Sequence, residues 1–144
     1  ILAPGLWAAR GRLEQLLAPE VRWAARQEGA GSQRFLQETL ALHRIDPADR
    51  RITARAYSER DAAAAVAMGQ ADVAPGIRGA AAEFGLEFQP IGWEAFDLAL
   101  SRGFFFRTLF RKLLDQLRGA ECQRQAQLLG GYDLAELGTL VWSP

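Results

Sequence analysis

The chain has 144 residues and a mass of 15.9 kDa, the size of one ordinary domain, so it can bury a core without disulfide or metal staples. Seventeen Lys+Arg balance seventeen Asp+Glu; no global field draws the protein onto nucleic acid or an anionic membrane, and any anion it binds must be held locally. Cys122 is alone beside a single histidine, which excludes an internal disulfide and a structural zinc site, and no window reaches the roughly 18 uninterrupted apolar residues of a membrane span.

In chain order, ILAPG reads as a loop, and a short helix is expected over about Arg12 to Ala18, stopped by Pro19. Val21 to Ala25 reads as a strand that alternates little, as expected where both faces are covered. The turn RQEGAGS follows. From Gln33 to His43 the apolar residues Phe35, Leu36, Leu40 and Leu42 recur near helical spacing, with Ser32 as candidate N-cap.

Ile52 to Tyr57 is the second strand. Ser58 and Asp61 form an S-x-x-D pattern ahead of the alanine-rich helix DAAAAVAMG, with Gly69 at its C′ position. ADVAPGI reads as a third strand that Pro75-Gly76 turns out of the sheet, and a short helix over about Arg78 to Phe84 ends at Gly85. Leu86 to Ile91 and Ala95 to Leu100 supply a fourth and a fifth strand, and Phe105 to Leu129 two helices broken near Gly119, before a GGYD turn. Strands alternating with helices at this spacing predict an α/β fold: a mixed, largely parallel sheet flanked by helices, in one domain over 1–144.

The chemistry concentrates at two strand-to-helix turns. A turn that ends a parallel strand and opens a helix leaves the first helical N–H groups unpaired at the carboxyl edge of the sheet, where anions collect. Gly29 and Gly31 permit positive φ and close approach to the backbone, Ser32 adds a hydroxyl, and Arg26 can supply a compensating charge. The competing reading is a plain glycine turn with a serine cap, and both stand. Ser58 opens a second helix at the same edge and suggests convergence on one ligand, although capping also accounts for it and the neighbouring Glu59 and Asp61 oppose an anion. Arg26 and Arg34 have Glu28 and Glu38 as alternative partners.

The order RQEGAGSQRFL, AVAMGQADVAPGIRGAA, GLEFQPIGWEAFDLAL and LLGGYDLAELG, covering about Leu13 to Gly138, resembles the periplasmic-binding-protein-like domain of bacterial molybdate- and tungstate-related regulators, often fused behind a helix-turn-helix domain. The resemblance implies a type 2 solute-receptor fold, two α/β lobes clamping a ligand, of which this chain holds the second lobe and the C-terminal return. The first lobe and any DNA-binding head are expected upstream of Ile1. It also implies ligand contacts from Gly29, Gly31, Ser32 and Gln33 and from Ser58, with Gln33 and Ser58-Glu59 standing where the family commonly has threonine and threonine-histidine.

The expected function is a non-catalytic sensor for a small anion such as molybdate or tungstate, with no cofactor beyond a bound oxyanion. DNA is expected to be met only through an upstream domain, with no membrane partner, homodimerisation as an option and a cytoplasmic location by the same resemblance, or a periplasmic one if the chain belongs to a transport receptor. A ligand-free interaction domain using the sheet edge or Phe104-Phe105-Phe106 is the alternative. Catalysis finds no support: Ser32 and His43 lie at opposite ends of one predicted helix, about 16 Å apart by its rise, too far to share a proton.

Overall fold

The computed structural model describes residues 1–46, 48 and 50–141. The chain divides into two compact units, Ile1–Trp93 and Glu94–Pro144.

In the first unit, α1 (Leu6–Arg10) and a 3-10 turn (Glu14–Leu17) lead into β1 (Arg22–Arg26), α2 (Gly31–Leu42), β2 (Arg51–Ala56), α3 (Glu59–Ala67) and α4 (Arg78–Glu83). The expected helix before Pro19 is therefore only a 3-10 turn, with a separate helix ahead of it. The glycines flanking that helix, Gly5 and Gly11, both adopt left-handed conformations.

β1 and β2 pair in parallel, with a register irregularity between Trp23 and Ala24. Single bridges extend the ladder: Trp23 pairs in parallel with Val73, and Leu2 pairs antiparallel with both Val73 and Glu87. The resulting order is β2, β1, Val73, Leu2, Glu87, a mixed and largely parallel arrangement. The expected third and fourth strands shrink to the bridges at Val73 and Glu87, because Pro75-Gly76 and Gln89-Pro90 cut the extended runs short. ILAPG, read as a loop, contributes the antiparallel member through Leu2.

Successive residues of β1 face opposite sides, and each side has its own core. Trp23, Val73 and Leu2 pack with Leu36 and Leu40 of α2 and with Leu16. Ala24 and Ala56 pack with Ala62, Ala63, Ala65 and Val66 of α3 and with Ala80 and Ala81 of α4. The small side chains of the second core let the helices approach the sheet closely. Trp23 is buried and donates its indole N–H to the Leu16 carbonyl at 2.9 Å, so the largest core side chain keeps its polar atom bonded.

The second unit contains α5 (Arg102–Phe105), α6 (Thr108–Arg118) and α7 (Ala120–Leu129). Phe110 and Leu114 are buried, and the Phe110 ring lies 5.4 Å from Phe104 and 5.8 Å from Phe105. Gly119 separates α6 from α7 as expected, with ψ 158 in place of a helical value. Ala95 to Leu100, expected to be a strand, has no regular structure and is exposed. An apolar run of this kind forms a strand only where a neighbour supplies the ladder bonds, and no described residue does so.

Candidate functional site

Because β1 and β2 run in parallel, the turns into α2 and α3 open at the same edge of the sheet. The first turn owes its shape to Gly29, which holds φ 82, while the Ala30 amide donates to the Gln27 carbonyl at 3.2 Å. This reversal starts the helix earlier than expected. Ala30 is the N-cap, Gly31 is the first helical residue, and Ser32 lies inside the first turn. Two expectations are corrected here: Ser32 does not cap α2, and only Gly29 of the pair uses a positive φ.

Freed from capping, Ser32 turns its hydroxyl toward α3 and donates to Glu59 Oε1 at 3.0 Å. Arg26 ends β1 and is buried, its side chain 7% exposed. Its Nη1 lies 3.3 Å from Ser32 Oγ and donates to the same Glu59 Oε1. The partner of Arg26 is therefore Glu59 and not Glu28, whereas Arg34 does pair with Glu38, at 2.8 Å across one helical turn. Gln33 is buried, and its Oε1 accepts the backbone N–H of Arg26 at 3.0 Å. That contact locks the strand end to the helix start and fixes the direction in which the Arg26 side chain leaves the sheet.

Ser58 caps α3, accepting the Asp61 N–H at 3.0 Å, and Asp61 Oδ2 accepts the Tyr57 N–H at 3.2 Å. The S-x-x-D pattern is thus a cap with a reciprocal bond displaced by one residue. Ser58 remains beside the site through Glu59, the next residue, but it shares no described hydrogen bond with Arg26, Ser32 or Gln33.

Sequence reasoning missed two participants. In the sequence Glu59 reads as an unfavourable charge and a departure from the family pattern; the signal that points to it is a buried arginine at a strand end, which requires a carboxylate nearby. Gly76 reads in the sequence as a chain-turning residue. A Cβ there would stand 2.8 Å from Glu59 Oε2 and 2.6 Å from Ile1 Cδ1, so its bare backbone makes room for the carboxylate.

The site as built joins one buried cation, one carboxylate and one hydroxyl at the mouths of two helices. Bonding capacity is left over, since Arg26 Nε and Glu59 Oε2 are buried with no hydrogen-bond partner among the described residues. Such an arrangement can recognise an oxygen-rich group by charge and directed N–H or O–H donors. His43, the C-cap of α2, lies at the far end of the helix from Ser32, which keeps the two apart as expected. Among the described residues no cluster of three or more His, Cys, Asp or Glu could hold a metal ion, and no helix is long and apolar enough to cross a membrane.

A model of the PBP superfamily domain matches residues 1–118. The chain is also 30% identical over 109 residues to an uncharacterized protein in the ferredoxin 2Fe-2S gene 5′ region of Clostridium pasteurianum, a match that covers 74% of this chain and 96% of that protein. No solved structure matches.

Proposed function

The chain belongs to the PBP superfamily, the periplasmic-binding-protein-like domains that bind small ligands, and from that premise we propose that it binds a small anion at the Arg26–Ser32 turn and performs no chemistry on it. The observation that carries this reading is Arg26: a guanidinium more than nine-tenths buried at the carboxyl edge of the sheet, beside a serine hydroxyl and the first amides of α2, with Nε unpartnered. Burying a cation there costs several kcal/mol unless negative charge meets it, and Glu59 supplies that charge at Nη1 while Nε is left over for a ligand. Gly29 shapes the turn, Gly31 and Ser32 bring their amides to the helix mouth, Gln33 fixes the arginine, and Ser58 orders the facing helix start.

Within this proposal the ligand is a tetrahedral oxyanion, molybdate or tungstate, and the domain reports its presence to the rest of a cytoplasmic regulator. DNA is contacted only through a further domain. The type 2 two-lobed architecture belongs to the same proposal, with these residues as the second lobe and C-terminal return. A thermal-shift panel with molybdate, tungstate, sulfate, phosphate and formate tests it. Ligand at about a hundred times its dissociation constant adds roughly 2.7 kcal/mol and raises the midpoint by several degrees. Ser32→Ala should weaken binding without unfolding the protein. No shift with any of the five anions refutes the reading.

The second reading, an interaction or dimerisation domain without ligand, draws on the second unit, where Phe96, Leu109, Leu128 and Phe106 are all more than half exposed. Apolar groups at that density favour a covering surface. Sedimentation that shows a monomer throughout the micromolar range would rule out the homodimer.

A further inference from the structure

We propose that Glu59 is the resident anion of the Arg26–Ser32 site and the gate to it, so that a free anion enters only by exchanging with the Glu59 carboxylate. The inference rests on the anion-binding reading above and specifies how that site chooses its ligand.

Glu59 already does what a bound oxyanion would do. One of its oxygens accepts from Arg26 Nη1 and, at 3.0 Å, from Ser32 Oγ, the two side-chain donors of the turn. Its place as the first residue of α3 puts the carboxylate at the positive end of a nine-residue helix. One buried positive charge is met by one negative charge. A dianion added beside an unmoved Glu59 would face a like charge within a few ångströms, and that repulsion disfavours simultaneous occupancy.

The two members of the pair differ in their freedom to move. The Arg26 side chain is 7% exposed, whereas that of Glu59 is 30% exposed. Arg26 is further tied down because its own N–H is held by Gln33. Glu59 is partly exposed, and its second oxygen has no hydrogen-bond partner among the described residues. The fixed donor set and the movable carboxylate make the site an exchanger. Its affinity for any anion is lowered by the stability of the internal pair, and weak oxygen acceptors are rejected because they cannot replace a carboxylate.

Isothermal titration of the full chain with sodium tungstate, for the wild type and for Glu59→Gln, tests the exchange. The expected result is binding at least about tenfold tighter in Glu59→Gln, with Glu59→Ala used in the same way if circular dichroism shows that the glutamine variant is unfolded. Equal or weaker binding in a folded variant overturns the gate while leaving the anion site standing. Failure of the wild type and of a folded variant to bind tungstate, molybdate, sulfate or phosphate overturns both. A second measurement needs no variant. Saturating tungstate should shift the side-chain carboxyl carbon resonance of Glu59 together with the Arg26 Nε–H signal; movement of the arginine signal alone overturns the exchange.

Discussion

Arg26, the last residue of β1, and Glu59, the first residue of α3, stand 33 positions apart in sequence, yet the guanidinium of one donates to the carboxylate of the other. The pair ties the start of α2 to the start of α3 through Ser32, which donates to the same oxygen. Its two halves are unequally buried, and the consequences of removing them should be unequal too. Glu59→Ala strands a buried cation and should cost about 2–4 kcal/mol, somewhat under the usual loss for a wholly buried pair because the glutamate is partly solvated. Arg26→Met keeps the apolar stem and leaves a carboxylate that can turn to water, so it should cost less. In urea denaturation the double variant should be more stable than Glu59→Ala alone; a double variant that merely adds the two losses would show that the pair is not coupled.

Two glycines at this edge should respond differently to alanine. Gly29 holds φ 82 with open space where a Cβ would stand, so Gly29→Ala should cost about 1–2 kcal/mol from backbone strain alone. Gly76 has no positive φ but would set a Cβ against Ile1 and Glu59, and its overpacking cost of about 1–3 kcal/mol should come with loss of the Arg26–Glu59 pair. The Arg26 Nε–H resonance separates them: it should keep its position in Gly29→Ala and move in Gly76→Ala.

Acid stability should depend on Asp72. Arg22 donates Nη2 to its Oδ1 at 2.6 Å, and both Nε and the backbone N–H to its Oδ2 at 3.1 and 2.8 Å. The Arg22 side-chain hydrogen bonds hold the Asp72 carboxyl below its ordinary value of 3.8. A carboxylate with a lowered folded pKa contributes stability that is complete above the unfolded value and is lost as pH falls through the folded one. Wild type and Asp72→Asn should therefore differ in melting temperature at pH 7 and begin to converge only below about pH 4, the ordinary range of aspartate. A constant difference from pH 7 to pH 2 would remove Asp72 from the acid response.

What was legible in the sequence was what is local. The helix after Gly29, the Ser58–Asp61 cap, the left-handed Gly69 beyond α3 and the break at Gly119 each follow from residues within a few positions of one another. The covered β1 strand could also be read, since Val21 to Ala25 carries no alternating polar face. The misses are non-local. Leu2 reads as part of a loop until Val73 and Glu87 lie on either side of it. Ala95 to Leu100 is apolar except for Asp97 and still forms no strand, because pairing partners are not encoded in the strand itself. At the site, the glycine turn is legible from its place between a strand and a helix, while Glu59, which shares one oxygen with Arg26 and Ser32, reads in the sequence as a nearby charge of the wrong sign.

The first unit should fold without the second. Both apolar clusters are composed of residues from Ile1 to Phe88, and the bonds of the Arg26–Ser32–Glu59 group, the β1–β2 pairing and the bridges through Leu2 all lie within Ile1–Trp93. A polypeptide of residues 1–93 should therefore unfold in urea as a single transition with a slope of about 1 kcal/mol per molar. Trp23, buried and bonded to the Leu16 carbonyl, should give a blue-shifted emission that is lost in that transition. The same fragment should keep the Arg26 Nε–H resonance of the full chain. A broad, non-cooperative unfolding curve would mean that the alanine-lined core on the α3 side is too thin to stand by itself, and that the residues after Trp93 supply stability as well as exposed apolar surface.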